Sequence, residues 1–267
     1  MKKKIILLTV IGLFICSSAF AFQIFPTNTR PVTVNPSPDA SPGAPFAGPN
    51  LQNILDYMFG TNVISATNDQ QIAGMWGGAT NPPSIGPTLV VEVAGNATIN
   101  MFGIWSGTDS TSIVAYDIFS GAALGFNAGG PTAAIITWNL AGLMTVSGPA
   151  PGVISQSNVT GINPSSFGFY LSNPQGGLLF YTIDQLNTNG EAHALAYRAP
   201  GTNDWAIAFE DLPFFHLGGS AWSDRDYNDM VVKVESLAPA VPEPATMLLL
   251  GSGLIGLAGF ARRRFKK

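Results

Sequence analysis

The sequence predicts an all-β protein: an antiparallel sandwich or jelly-roll-like domain with one short N-terminal helix, followed by a C-terminal transmembrane helix. Three observations carry this. Glycine (30) and proline (20) make up nearly one residue in five of the 267, a composition hostile to long helices. The apolar fraction of 46% still suffices for a sizeable core. From residue 88 onward, short apolar runs alternate with turn residues at spacings typical of sandwiches and barrels, and no fixed period suggests a solenoid or propeller.

At the N-terminus, Lys2, Lys3 and Lys4 precede an apolar run over 5–16 that gives way to Ala19-Phe20-Ala21. This predicts a secretory signal peptide over 1–21, cleaved after Ala21. Cys16 is the single cysteine, and lipoprotein processing is disfavoured by the bulk of Ile15 immediately before it. A mature chain without cysteine cannot use disulfides outside the cell, so its stability must come from its core, from metal, or from both.

Residues 22–50 carry Pro26, Pro31, Pro36, Pro38, Pro42, Pro45 and Pro49 and read as an extended linker or a wrapping strand. Asn50 then stands as a cap before 51–59, where Leu51, Ile54, Leu55 and Met58 share one face and Gly60 closes the helix. Asp56 reads as a solvated helix acid. The exported domain is expected over 51–236. Its strands are expected at 88–94, 98–105, 112–119, 133–138, 143–147, 167–172, 178–183, 193–198, 205–209 and 230–235.

Net charge is −4, but the ends hide the balance of the body. Between them remain four basic residues, Arg30, Arg198, Arg225 and Lys233, against fifteen acids once Glu243 is set aside, a balance of −11. Such a surface repels nucleic-acid phosphates and attracts cations, so nucleic acid is excluded as a partner.

Seven of those acids crowd into 204–235: Asp204, Glu210, Asp211, Asp224, Asp226, Asp229 and Glu235. Packed carboxylates repel unless a cation, an arginine or protonation neutralises them. The spacing Asp224-x-Asp226-x-Asn228 can present three oxygen ligands to a hard cation from a tight loop. It begins like an EF-hand loop, yet Asp229 stands where that loop needs glycine. Glu235, at the twelfth position, follows a strand-like run that would carry it roughly 20 Å from Asp229. The candidate metal ligands are therefore Glu210 and Asp211 at the end of one strand with Asp224, Asp226, Asn228 and Asp229 at the start of the next, and the expected ion is Ca2+. The alternative is that these acids cap turns, pair with Arg225 and otherwise remain solvated.

Reactive groups for an enzyme are scarce. The two histidines are His193, in strand-like sequence, and His216, near the acids, and no nucleophile elbow, zinc helix or phosphate-binding glycine loop occurs. A non-catalytic protein is expected. Among five tryptophans, Trp105, Trp138 and Trp205 lie in strand patterns and read as core. Trp76 and Trp222 lie in Gly/Ser-rich stretches and are candidate glycan contacts.

At the C-terminus, 237–244 form a linker containing Pro242-Glu243-Pro244, 245–261 are an uncharged apolar run at the lower limit for spanning a bilayer, and 262–267 are a basic tail with Arg262, Arg263 and Arg264. In this order these parts closely resemble the PEP-CTERM sorting signal of Gram-negative bacteria. The resemblance implies recognition by an exosortase and delivery to the cell surface or extracellular matrix, with the inner membrane as an anchor before sorting. Phe209-Glu210-Asp211-Leu212 and Asp224-Arg225-Asp226-Tyr227-Asn228-Asp229 resemble a domain of unknown function found in such surface proteins, with weaker likeness at 102–104, 167–171 and 193–197. That resemblance implies an extracellular, calcium-associated β module without an agreed activity. The expected function is thus an exported non-catalytic surface or extracellular-matrix protein with a calcium-stabilised β domain. The alternative is a calcium-dependent carbohydrate-binding or adhesive module whose partner is an extracellular polysaccharide.

Overall fold

Asn50 caps the helix from the position its sequence context suggests: its side chain accepts a hydrogen bond from the Asn53 N–H at 2.9 Å, and α1 (Leu51–Phe59) ends at Gly60, whose φ is +98°. Leu51, Ile54 and Leu55 are buried. Asp56 is not merely solvated, because its Oδ1 accepts from the Gln52 side chain at 2.9 Å and from the Asn62 N–H at 3.1 Å, fixing the turn after the helix.

A computed structural model describes residues 29–35, 50–72, 74–78, 88–93, 100–107, 111–120, 133–148, 152–173, 177–214 and 223–239, all within the unit Phe25–Ala240. The expected signal peptide (1–21), the Pro242-Glu243-Pro244 motif, the apolar run 245–261, the basic tail 262–267, His216 and Trp222 lie outside the described residues. Among the described residues no helix is long and apolar enough to cross a membrane.

The strands, in chain order, are β1 (Gln70–Gln71), β2 (Trp76–Gly78), β3 (Thr88–Val93), β4 (Met101–Ser106), β5 (Val114–Ser120), β6 (Ala133–Trp138) and β7 (Met144–Ser147). They continue with β8 (Gln156–Val159), β9 (Gly168–Asn173), β10 (Leu178–Tyr181), β11 (Ala194–Arg198), β12 (Trp205–Phe209), β13 (Met230–Glu235) and β14 (Leu237–Pro239). Every strand expected from the sequence is present; β1, β2, β8 and β14 were not anticipated. The protein is predominantly β, all its strand pairs are antiparallel, and α1 is the one α-helix among the described residues.

An eight-stranded sheet runs β1-β11-β12-β13-β3-β6-β7-β8, a four-stranded sheet runs β10-β9-β4-β5, and β14 pairs with β2. Both larger sheets feed one buried cluster: Leu89, Ile136, Val146, Ile207 and Val232 from the first, Phe102, Ile104, Phe169 and Leu171 from the second. The period of two then sends the alternate residues of β11 to β13 to the other face. There Leu195, Tyr197, Ala206, Ala208 and Val231 meet Leu51, Ile54 and Leu55 of α1 in a second cluster. Burial on both faces is why β12 reads Trp-Ala-Ile-Ala-Phe with no polar alternation.

Trp76 corrects the sequence reading. It is fully buried in β2, opposite Pro239 of β14 and bridged to Phe167, with its ring centroid 5.6 Å from Phe169 and 5.8 Å from Trp205. No indole face remains for a sugar. Trp105, Trp138 and Trp205 are buried, as their strand contexts suggested.

The folded unit also exceeds 51–236 at both ends. Beyond the C-terminal limit, β14 completes a pair with β2. Before the N-terminal limit, residues 29–35 dock as a wrapping segment. Val34 is buried, Val32 exchanges backbone hydrogen bonds with the Gln70 side chain at 2.8 and 3.0 Å, and the Asn35 N–H donates to the Arg225 carbonyl at 2.9 Å.

Candidate metal centre

The pairing of β12 with β13 places Phe209 opposite Met230, so the residues that follow the first strand meet the residues that precede the second. This register brings Glu210 and Asp211 to Asp229. Just past the ladder, Glu210 is held by its own backbone: its N–H donates to the His193 carbonyl at 3.0 Å, and its carbonyl lies 3.2 Å from His193 Nδ1. His193 is itself fixed, with its ring stacked 4.1 Å from that of Phe180 and 4.8 Å from that of Phe214, and Nε2 lying 3.1 Å from Glu191 Oε2. Burial lowers the His193 pKa, an effect opposed by Glu191.

Held in this way, Glu210 is only 1% exposed, and neither carboxyl oxygen has a hydrogen-bond partner of proper geometry. Burying an unpaired polar group is costly, and burying a charge far more so. Burial, and after it the Asp224 and Asp226 charges, push the Glu210 pKa up to about 8; the Ser223 hydroxyl offsets only part of that rise. Beside it, the Asp211 N–H donates to Asp229 Oδ2 at 2.8 Å, and the buried Asn100 donates from Nδ2 to Asp211 Oδ2 at 2.8 Å. Burial raises the pKa of Asp211, partly offset by Asn100, and raises that of Asp229 well above its ordinary value, with Glu210 and Asp211 adding to the rise.

The loop from Asp224 to Asn228 folds by alternation. Arg225 and Tyr227 adopt φ of +59° and +54°, a left-handed conformation that costs about 1–2 kcal/mol per non-glycine residue. Contacts on one side hold it. The Tyr227 hydroxyl donates to the Ala192 carbonyl at 2.7 Å, and the Arg225 guanidinium lies 4.6 Å above the Phe214 ring. On the other side each acid is fixed by the backbone two residues on: Asp226 N–H reaches Asp224 Oδ1 at 3.4 Å, and Asn228 N–H reaches Asp226 Oδ1 at 3.1 Å. Among the described residues Arg225 forms no ion pair with these acids, so arginine neutralisation does not account for the cluster.

Two groups of three carboxylates result, each with ligand atoms within 4.8 Å of one another: Glu210, Asp224 and Asp226, and Glu210, Asp211 and Asp229. Glu210 belongs to both. Asn228 is fully buried with neither carboxamide atom hydrogen-bonded. An all-oxygen donor set suits a hard cation such as calcium, and poorly suits the thiolate- and imidazole-seeking metals. Glu235 stays apart within β13, where its Oε1 accepts from Lys233 at 2.7 Å. Sequence reasoning missed Asn100, which lies 111 residues from the aspartate it contacts, and missed His193 as the residue positioning Glu210. No local pattern flags Asn100; for His193, a histidine two residues after an acid and beside a buried strand was the available signal.

An antiparallel β domain with a carboxylate-lined junction between two strand ends thus defines the class. Residues 154–237 match the domain of unknown function DUF4114, a span holding all six candidate ligands but not α1 or Asn100. Residues 240–264 match the PEP-CTERM protein-sorting motif. This motif marks an exported, surface-associated protein processed by an exosortase. No curated protein and no solved structure matches the chain.

Proposed function

We propose that this is a non-catalytic surface or extracellular-matrix protein whose β domain is stabilised by calcium at the junction of β12 and β13. The observation that carries the reading is Glu210, a buried carboxylate with no hydrogen-bond partner of proper geometry, placed within 4.8 Å of acids from two chain segments. The cation supplies the charge that desolvation and mutual repulsion leave uncompensated. Asp224, Asp226, Asp211, Asp229 and Asn228 are the other oxygen donors at the junction. Its role is to fasten the loop preceding β13 to the end of β12 in a protein whose single cysteine lies within the expected signal peptide. Isothermal titration of calcium into the full chain, purified in a nonionic detergent and stripped with a chelator, tests this. Saturable binding that is diminished in Asp226→Asn is expected. Heats no different from buffer, or an unaltered isotherm in Asp226→Asn, would contradict it.

A further inference from the structure

Resting on that calcium reading, we propose that the junction takes two calcium ions, with the Glu210 carboxylate bridging them. The two carboxylate groups share only Glu210, and the five acids do not all fall within one sphere of mutual 4.8 Å contact. One ion therefore has Glu210, Asp224 and Asp226 as its acids, and the other has Glu210, Asp211 and Asp229.

Three further observations point the same way. First, both oxygens of Glu210 lack hydrogen-bond partners of proper geometry while the side chain is 1% exposed, so one oxygen is available to each ion. An ionised carboxylate offers about four lone-pair sites on its two oxygens, enough to serve two ions. Second, the partners of the outer acids leave room for ions. Asp211 and Asp229 each accept their hydrogen bond at Oδ2, from Asn100 and from the Asp211 N–H, which orients the group and leaves Oδ1 for a metal. Third, two ions bring the charge closer to neutrality than one. Five ionised carboxylates, of which Glu210 and Asp226 are buried, Asp211 and Asp229 half-buried and Asp224 exposed, carry −5; one divalent ion leaves −3 and two leave −1. The nearby cation cannot make up the difference, because Arg225 is turned onto Phe214. The buried Asn228 carboxamide, with both polar atoms unpartnered, offers a neutral oxygen in addition.

Equilibrium dialysis of the chelator-stripped full chain against calcium, with bound metal counted per chain, tests the proposal. Saturation at two ions is expected, falling to one in Asp224→Asn and to one in Asp229→Asn. Glu210→Gln should weaken both sites by tenfold or more, since it removes the shared charged ligand. Saturation of the wild type at one ion overturns the bridge while leaving the calcium reading intact; no bound calcium overturns the calcium reading itself. Two ions retained in both Asp224→Asn and Asp229→Asn also overturn it. The wild-type count requires no variant and so stays decisive even where a substitution prevents folding.

Discussion

Glu210 governs how the calcium-free protein responds to pH. Its carboxyl is raised from an ordinary 4.5 to about 8, so between these values the folded chain holds a proton that the unfolded chain has released. The associated stability is fully present below the unfolded pKa and is lost as pH rises through the folded one. Asp211 and Asp229 shift in the same direction and widen the effect. In chelator, urea denaturation should therefore show stability declining from about pH 5 to about pH 8, with a shallower decline in Glu210→Gln. At about pH 8.5 that neutral variant should be the more stable calcium-free protein, by about 1–3 kcal/mol. On the proposed calcium reading the ion takes the ionised form, so its stabilising effect should grow over the same window in the wild type. A wild-type stability that rises with pH in chelator would contradict the burial of this carboxyl.

Among the elements, β12 and β13 were the most legible from sequence: β12 is buried along its whole length and reads as a continuous apolar run, and β13 opens with the buried run Met230-Val231-Val232. The short strands were not. Gln70–Gln71 is too brief to show a period, and Gln-Ser-Asn-Val in β8 carries one buried residue. Trp76 was misplaced because Gly77 and Gly78 mimic a loop, whereas a Cβ at Gly77 would stand 3.1 Å from the Ser165 carbonyl oxygen; the glycine there permits close packing. The acids of the junction were legible as residues, but their grouping around Glu210 depends on strand register, which sequence does not state. Close approach also governs β4. At Gly103, beside a register shift, a Cβ would lie 2.1 Å from the Tyr170 ring. Gly103→Ala should cost about 1–3 kcal/mol in chemical denaturation by displacing that ring. An unchanged midpoint would show that Tyr170 is not packed there.

For the molecule as a whole, the N-terminal wrapping segment is an integral part of the fold. Arg30 donates to both oxygens of the fully buried Asp184 at 3.1 Å and to the Ala194 carbonyl at 3.3 Å, tying residues 29–35 to the body. Breaking one side of a buried pair leaves an uncompensated charge, so Arg30→Met should destabilise by about 3–5 kcal/mol, with Asp184→Asn in the same background recovering part of the loss. A loss below about 1 kcal/mol in denaturation would mark the segment as loosely attached. The same segment reaches the Arg225 carbonyl through Asn35, so the wrap and the acidic loop are fastened to each other. The claim joining these scales is that calcium completes the exported domain, and thermal unfolding of the full chain with calcium titrated in tests it most directly. At a free calcium concentration about a hundredfold above its dissociation constant, one bound ion should add about 2.7 kcal/mol to the wild type, and Asp226→Asn should gain clearly less than the wild type. An unmoved wild-type midpoint, or an equal shift in Asp226→Asn, would contradict the account.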